Sequence, residues 1–503
     1  MRSVLALGGA VLVVTLSGVW ASSLQGCDEA YYAQMAREML QTGDFLVPRY
    51  DGTAPLDKPP LLMWLVAASF RLFGVGDLQA RLPVLVVGAA LPFALWAGLP
   101  GSPAFRFAAA ATLATTLLYV QLQHMVMTDL LALAGLVGLA LALVRAHEGV
   151  RWGWLAGSGV GLAALSKGAL AALLAAASLP FALRGGGVLH AGFLLRAVPG
   201  VLPAVAWYGW MWHVFGQQFT EVHFGVFLLR LATQGISADS PLGLAFYPVS
   251  ALWRFLPWWP LLPAAVAVGV RMARSGDRAI GWALSFLLVY FAAITALRTK
   301  MDHYALPLTV PVAFLVGGWA TAGTTTSRAD RWTAGLCVAL GAFFTVAGSL
   351  GAAGGLPAPA GLRVAAAALG LLLGTAFVTC GLRVFRGSRS HAWSSLLWAA
   401  VGAYAVGGVL LHPWDAEPGL RAVASRLPRG EPVAYVASRL PGASPCPYLA
   451  LRFRLQQPPK VLDLEEFRSA TPGWYVGRTG ELVPTQRDRV VVQDSGWVLV
   501  RRW

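Results

Sequence analysis

Residues 129–183 read DLLALAGLVGLALALVR, AHEGVRW, GWLAGSGVGLAAL, SKG and ALAALLAAASLPFAL in unbroken succession. Apolar runs at roughly 129–144, 152–165 and 169–183 are parted by only two short polar breaks. A transmembrane helix needs about 20 mostly apolar residues, so these runs are span-sized or slightly short. Arg145 and Arg151 mark the first break and Arg184 closes the third run, while Asp129 and Lys167 stand at the opposite ends. Basic residues favour cytoplasmic loops. The stretch therefore predicts three antiparallel spans with their arginines inside and Asp129 and Lys167 outside.

Carried along the chain, the same pattern gives about thirteen runs: 4–21, 82–99, 105–121, 129–144, 152–165, 169–183, 197–215, 247–270, 279–297, 304–322, 332–350, 361–382 and 391–411. The first resembles a signal peptide, with Arg2 before it and Ala21-Ser22-Ser23 after it; we expect it to remain as an uncleaved helix. With the N-terminus inside, the inner loops carry 14 basic residues against Glu148, Asp277 and Asp330, a balance of +11. The outer ends and loops of the same region hold 11 basic and 11 acidic residues, and residues 413–503 add +4, completing the net +15. An odd number of spans puts this C-terminal part outside.

Composition agrees. Of 503 residues, 57% are hydrophobic and 12% charged, against about 25% charged in an ordinary soluble domain. Mean hydropathy is +0.63. A cytosolic enzyme is excluded, and the +15 does not indicate a nucleic-acid surface. Residues 1–412 read as a membrane domain. Residues 413–503 hold 22 of the 61 charged residues and read as a small α/β domain, with β-rich runs at 432–437, 489–493 and 497–500 and a helical stretch at 418–426. Two larger outer loops are expected, 22–81 and 216–246. In the first, Tyr31, Met35 and Met39, and then Leu62, Leu65 and Val66, recur at helical spacing and suit amphipathic helices along the membrane surface.

The four cysteines make neither a disulfide framework nor a metal motif. Cys337 and Cys380 lie in apolar runs. A Cys27–Cys446 bridge is open only if both face an oxidising compartment, and the narrow geometry of the bond counts against it.

The ionisable residues at the outer boundary form a few clusters: Asp28-Glu29, Asp57-Lys58, Asp129, Lys167, His223 with Arg230, and Arg298 to Tyr304. Charge at membrane depth is costly and points to function, although any one such residue can simply mark a helix end. Three of the four lysines, Lys58, Lys167 and Lys300, fall here in a chain with 34 arginines. A compact ammonium suits phosphate as a point charge. Asp28 can cap the helix after it or act as a general base. Asp129 can likewise be an N-cap.

The order Asp28-Glu29-Ala30-Tyr31-Tyr32, Gly43-Asp44-Phe45, Val47-Pro48-Arg49, Asp57-Lys58-Pro59-Pro60, Met127-Thr128-Asp129, Leu165-Ser166-Lys167-Gly168, Ala206-Trp207-Tyr208, Phe255-Leu256-Pro257-Trp258 and Thr299-Lys300 through Tyr304 to Pro307 closely resembles the bacterial aminoarabinose (lipid A) transferase and protein mannosyltransferase-like family. These are glycosyltransferases of GT-C architecture. The resemblance runs over roughly residues 1–320; the later spans and the tail match in general layout only. It implies a mainly α, polytopic enzyme of the bacterial inner membrane. Such an enzyme transfers a sugar from polyprenyl (undecaprenyl) phosphate to a glycolipid, protein or envelope-glycan acceptor on the periplasmic face. A leaving phosphate calls for cations and an attacking hydroxyl for a base. On this resemblance Asp28 is the expected base. Lys58, Arg230, Lys300 and Tyr304 hold the lipid phosphate, and Glu29, Asp57 and Asp129 orient acceptor, sugar or cations. Tyr31, Tyr32, Lys167, His223 and His303 support the site.

Two departures bear on substrate choice: Tyr31 stands where the family commonly has Arg, and Asp57 where it often has Glu. A divalent metal near Asp28, Glu29, Asp57 and His223 stays open, since no spacing demonstrates one. A flippase for a lipid-linked sugar would use similar charges, but such transporters often show inverted repeats and midplane sites, and neither is evident. A scaffold would leave Asp28 and the outer lysines without a purpose.

Overall fold

The computed structural model describes residues 2–18, 23–24, 27–184, 187, 190–230, 233–234, 241–323, 326–354, 360–410, 419–427, 431–437, 446–455 and 457–503. Ala21-Ser22 of the signal-like end, part of the 216–246 loop and the expected 412/413 domain boundary lie outside them.

Helices occupy all thirteen apolar runs, but thirteen full spans are not borne out. Among the described residues, seven helices are long and apolar enough to cross a membrane, or nine if two bent pairs each count once. The shortfall is geometric. Helices Arg2–Leu16 and Gly153–Lys167 have 15 residues each, about 22 Å at 1.5 Å per residue, short of a core about 30 Å thick. The pair Pro103–Thr115 and Leu117–Gln123 bends by 62°, and the pair Gly243–Arg254 and Trp259–Arg274 by 111°.

The opening stretch folds as expected into helices Asp129–Arg145, Gly153–Lys167 and Ala169–Arg184. The glycines of the middle helix let it approach both neighbours: a side chain at Gly157 would overlap the Ala197 carbonyl, and one at Gly159 would crowd Gly135. Small residues bring membrane helices into close van der Waals contact in this way. Leu195, Trp212, Leu288 and Trp332 are exposed on the outer flanks of helices; so much apolar surface suits lipid rather than water. The chain is an integral membrane protein.

The first expected loop, 22–81, contains the two expected helices, Asp28–Thr42 and Leu61–Phe73, yet they do not simply line a surface. Met35 and Met39 are fully buried, and Asp28–Thr42 is wedged between Leu61–Phe73 and helix Cys446–Arg454 of the tail. The described part of the second expected loop, 216–246, is largely helical. Helix Ala191–Thr220 breaks at Gly216 and continues as a wider π-helical turn over Glu221–Arg230.

The tail is a small α/β unit, as expected. Strands β1 (Val433–Val436), β2 (Lys460–Leu462), β3 (Gly473–Arg478), β4 (Asp488–Asp494) and β5 (Trp497–Arg502) form one sheet in the order β2-β1-β3-β5-β4. β1 runs parallel to β2 and β3, whereas β5 is antiparallel to β3 and β4. The sequence pattern located β1, β4 and β5. It missed β2, which is only three residues long, and β3, which starts on a glycine.

The cysteine expectation is overturned: Cys27 and Cys446 are disulfide-bonded across 419 residues of sequence. The ends can meet because the tail docks on the first outer segment. Arg452 pairs with Asp51 at 2.6 Å, Arg454 pairs with Asp77, and Arg37 donates to the carbonyls of Phe453 and Leu455 at 3.1 and 2.8 Å.

Candidate active site

Helix Asp28–Thr42 begins at the wall of a cavity of about 650 Å³, and Asp28 lines it. Helix Leu117–Gln123, the Arg254 end of Phe246–Arg254 and the segment Lys300–His303 supply other walls. The two adjacent acids differ sharply. Glu29 is fully buried and grips Arg81 through two hydrogen bonds of 3.0 and 2.9 Å, while accepting the Val126 backbone N–H at 2.9 Å. Glu29 and Arg81 also belong to the cavity lining, but Asp28 is the acid exposed to it. Burial raises the pKa of its carboxyl above the ordinary aspartate value; Lys58 and Lys167 oppose that rise, and Asp129 and Glu29 add to it.

Six of the expected residues come together. Asp28, Lys58, Asp129, Lys167, His303 and Tyr304 are close enough to interact electrostatically. Lys167 pairs with the buried Asp129, and its ammonium lies 5.3 Å from the centre of the Tyr304 ring. Lys58 pairs with Asp57 at 2.7 Å and lies 5.9 Å from the Tyr32 ring. Burial works against its charge, but Tyr32 and Asp57 outweigh that and hold its pKa above the usual lysine value. Tyr31 packs on Tyr50, ring centres 4.9 Å apart.

Other expected residues are engaged elsewhere. Lys300 lines the cavity, but its ammonium also binds the carbonyls of Ile294, Thr295 and Leu297, capping helix Arg278–Ala296. Burial lowers its pKa. Arg230 is exposed at the end of its π-helical turn and is absent from the described cavity lining. His223 donates from Nδ1 to the Leu56 carbonyl at 3.1 Å, and its Nε2 lies 3.2 Å from the Tyr208 hydroxyl. It backs the Lys167-Gly168 turn: a Cβ on Gly168 would lie 2.6 Å from His223 Nε2. Among the described residues no three His, Cys, Asp or Glu side chains form a metal-holding group.

Sequence reasoning missed Arg81, Gln121, His124 and Arg254. The signal for Arg254 was present, since it is a charge inside the apolar run 247–270. Gln121 and His124 also line a second, apolar chamber of about 420 Å³, walled by Leu117, Leu256, Leu373 and Phe377. The polar cavity and the apolar chamber therefore share a wall.

The described fold matches a crystal structure of ArnT from Cupriavidus metallidurans bound to undecaprenyl phosphate over 99% of this chain and 97% of that one, with a TM-score of 0.71 at 20% identity. The apo structure of that protein gives a TM-score of 0.74 at 19% identity. The chain has the fold of that protein. The family described as dolichyl-phosphate-mannose-protein mannosyltransferase matches residues 57–210, which include Asp57, Lys58, Asp129 and Lys167. The undecaprenyl phosphate-alpha-4-amino-4-deoxy-L-arabinose arabinosyl transferase of Yersinia enterocolitica is 26% identical over 58% of this chain and 55% of its own length. The Sodalis glossinidius protein of that description is 30% identical over 58% of this chain and 54% of its own. These alignments span about half the length of those relatives.

Proposed function

We propose that this chain is a membrane glycosyltransferase that moves a sugar from a polyprenyl-phosphate carrier, such as undecaprenyl phosphate, to a hydroxyl or phosphate acceptor on a glycolipid, protein or envelope glycan. The observation that carries this is that Asp28, which groups with Lys58 and Lys167, lines a polar cavity that abuts an apolar chamber. A lipid phosphate needs both environments, cations for its head and an apolar channel for its chain.

In the proposed reaction an acceptor oxygen attacks the anomeric carbon as the bond from that carbon to the phosphate oxygen breaks, with inversion. For a hydroxyl acceptor, the proton passes to Asp28, whose raised pKa brings it nearer working pH. Lys58 and Lys167, with Tyr304 beside them, stabilise the charge growing on the departing phosphate. Asp129 orients Lys167. Arg230 belongs to the phosphate set by resemblance alone, whereas Lys300 also lines the cavity. The proposed location is the bacterial inner membrane, with the N-terminus in the cytoplasm and the site and tail in the periplasm, a reading supported by the basic residues of the inner loops. The Cys27–Cys446 bond supports an oxidising location for that face.

The test is purified protein in proteoliposomes with labelled undecaprenyl-phosphate sugars and envelope acceptors. Covalent transfer by the wild type, abolished by Asp28→Asn in normally inserted protein, is expected. Movement of label across the bilayer without transfer would instead mark a flippase.

A further inference from the structure

One wall of the cavity is left unused by the chemistry above. Arg254 ends helix Phe246–Arg254, and Asp302 begins the turn that carries His303 and Tyr304. Their side chains pair across the cavity wall. The other oxygen of Asp302 accepts from the Ser250 hydroxyl at 2.6 Å, and the other amino group of Arg254 donates to Gln121 Oε1. Arg254, Asp302, Gln121 and Phe246 all line the cavity that Asp28 lines. The pair is within reach of a ligand, with side-chain exposures of 24% and 30%.

A guanidinium already paired with a carboxylate is a poor receptor for a second anion, which would have to compete with Asp302. What the pair offers is a planar fork of donors beside a carboxylate acceptor, held in one orientation by Gln121 and Ser250. Neighbouring hydroxyls of a sugar ring require that combination, because each hydroxyl both donates and accepts. Phe246 in the same lining provides an apolar face for the C–H side of a ring. The phosphate-binding cations Lys58 and Lys167 belong to a different cluster, around Asp28.

We propose that Arg254 and Asp302, braced by Gln121 and Ser250, read the hydroxyls of the transferred sugar and select donors whose contacted ring positions carry uncharged hydroxyl groups. This rests on the glycosyltransferase assignment. A carboxylated sugar would meet Asp302 with like charge, and a deoxy sugar would leave the dyad's polar groups unpaired, which is how polar sites reject analogues.

The experiment uses the full chain in proteoliposomes with undecaprenyl-phosphate-linked hexose, pentose, deoxy-hexose and uronic acid donors, and sugar-free undecaprenyl phosphate as a binding probe. For Arg254→Gln and Asp302→Asn we expect kcat/KM for the preferred donor to fall at least about tenfold, the scale of losing one good hydrogen bond. The ratio between preferred and deoxy donors should shrink together with it. Binding of sugar-free undecaprenyl phosphate should stay unchanged, which also shows that the variants fold. Arg254→Lys, which keeps the charge without the fork, should lose selectivity too. An equal fall for every donor with the ratio preserved, or weakened binding of the sugar-free lipid, would overturn the proposal. A wild-type protein that transfers no donor would overturn the glycosyltransferase assignment itself and the dyad with it.

Discussion

Glu29 and Arg81 are joined by a bidentate, fully buried ion pair at 2.9 and 3.0 Å, while the adjacent Asp28 faces the cavity. One turn of backbone therefore assigns two identical charges to different duties. Glu29 ties helix Asp28–Thr42 to helix Asp77–Gly98, and Asp28 stays available to substrate. Breaking a buried pair from one side leaves an unpaired buried charge and costs about 3–5 kcal/mol. Glu29→Gln should lower the unfolding temperature and the yield of inserted protein, whereas Asp28→Asn should not. Thermal unfolding of the two purified variants in one detergent distinguishes them; equal destabilisation would remove the division of labour.

The pH dependence of Asp28 has a definite sign. Its carboxyl pKa is raised, chiefly by burial, so ionising it works against the folded state. Its contribution to stability is present at low pH and is lost as pH rises through its folded pKa. Activity runs the other way, because only the carboxylate accepts a proton. With a hydroxyl acceptor, the acid limb of kcat/KM should fall above the ordinary aspartate range. In the neutral range Asp28→Asn should be inactive yet at least as thermally stable as the wild type. A pH–rate profile with its acid limb at or below the usual aspartate pKa would count against Asp28 as the base.

The Cys27–Cys446 bond joins the residue before Asp28 to the tail. A disulfide typically contributes about 2–4 kcal/mol, largely by restricting the unfolded chain. Cys446→Ser, or reduction of the wild type, should make the tail more susceptible to limited proteolysis and lower turnover. The ion pairs of Arg452 and Arg454 should keep part of the docking. A proteolysis pattern unchanged by reduction would show that those pairs suffice.

Gly168 holds the turn between helices Gly153–Lys167 and Ala169–Arg184 at φ +50°. A methyl group there would lie 2.6 Å from His223 Nε2 and 3.0 Å from the Tyr208 hydroxyl. Gly168→Ala should cost about 1–3 kcal/mol through backbone strain and displace Lys167 from Asp129. The readout is a loss of turnover together with lower thermal stability. Wild-type values of both would mean that the turn relaxes freely.

In the tail, Arg502 binds Asp488 through hydrogen bonds of 2.7 and 2.9 Å. Burial pushes the Asp488 pKa up, but hydrogen bonds from Arg502 and Thr485 outweigh it and hold the pKa below the ordinary value. The stability from this pair is therefore present above the unfolded aspartate pKa, near 3.9, and lost as pH falls through the lower folded one. Asp488→Ala should destabilise the tail at neutral pH and flatten its acid-induced loss of stability, measured by hydrogen exchange of β4 and β5. Unaltered exchange at neutral pH would remove the pair from the tail's stability.

Membrane embedding, the position of each apolar helix, the α/β character of the tail and the Asp28–Lys58–Asp129–Lys167–Tyr304 set were legible in the chain. Each rests on local pattern or charge that costs too much at membrane depth to be incidental. Span number was less legible, because bends at residues 115–117 and 254–259 and the shortness of Arg2–Leu16 are decided by packing. Arg230 was expected at the site from the resemblance yet is absent from the described cavity lining, while Lys300 lines the cavity and also caps a helix. Which cations face the cavity depends on helix rotation and on competing carbonyls, which one-dimensional pattern does not carry.

The sequence by itself determined a polytopic, mainly helical protein and singled out the acids and lysines at its helix ends as candidates for its chemistry, because hydrophobicity and charge act residue by residue. Only the tertiary structure decided that Glu29 is a strut and Asp28 is free, that Cys27 meets Cys446, and that Arg254 and Asp302 face each other across the cavity wall. Those outcomes depend on distances between segments tens to hundreds of residues apart, which are set by packing.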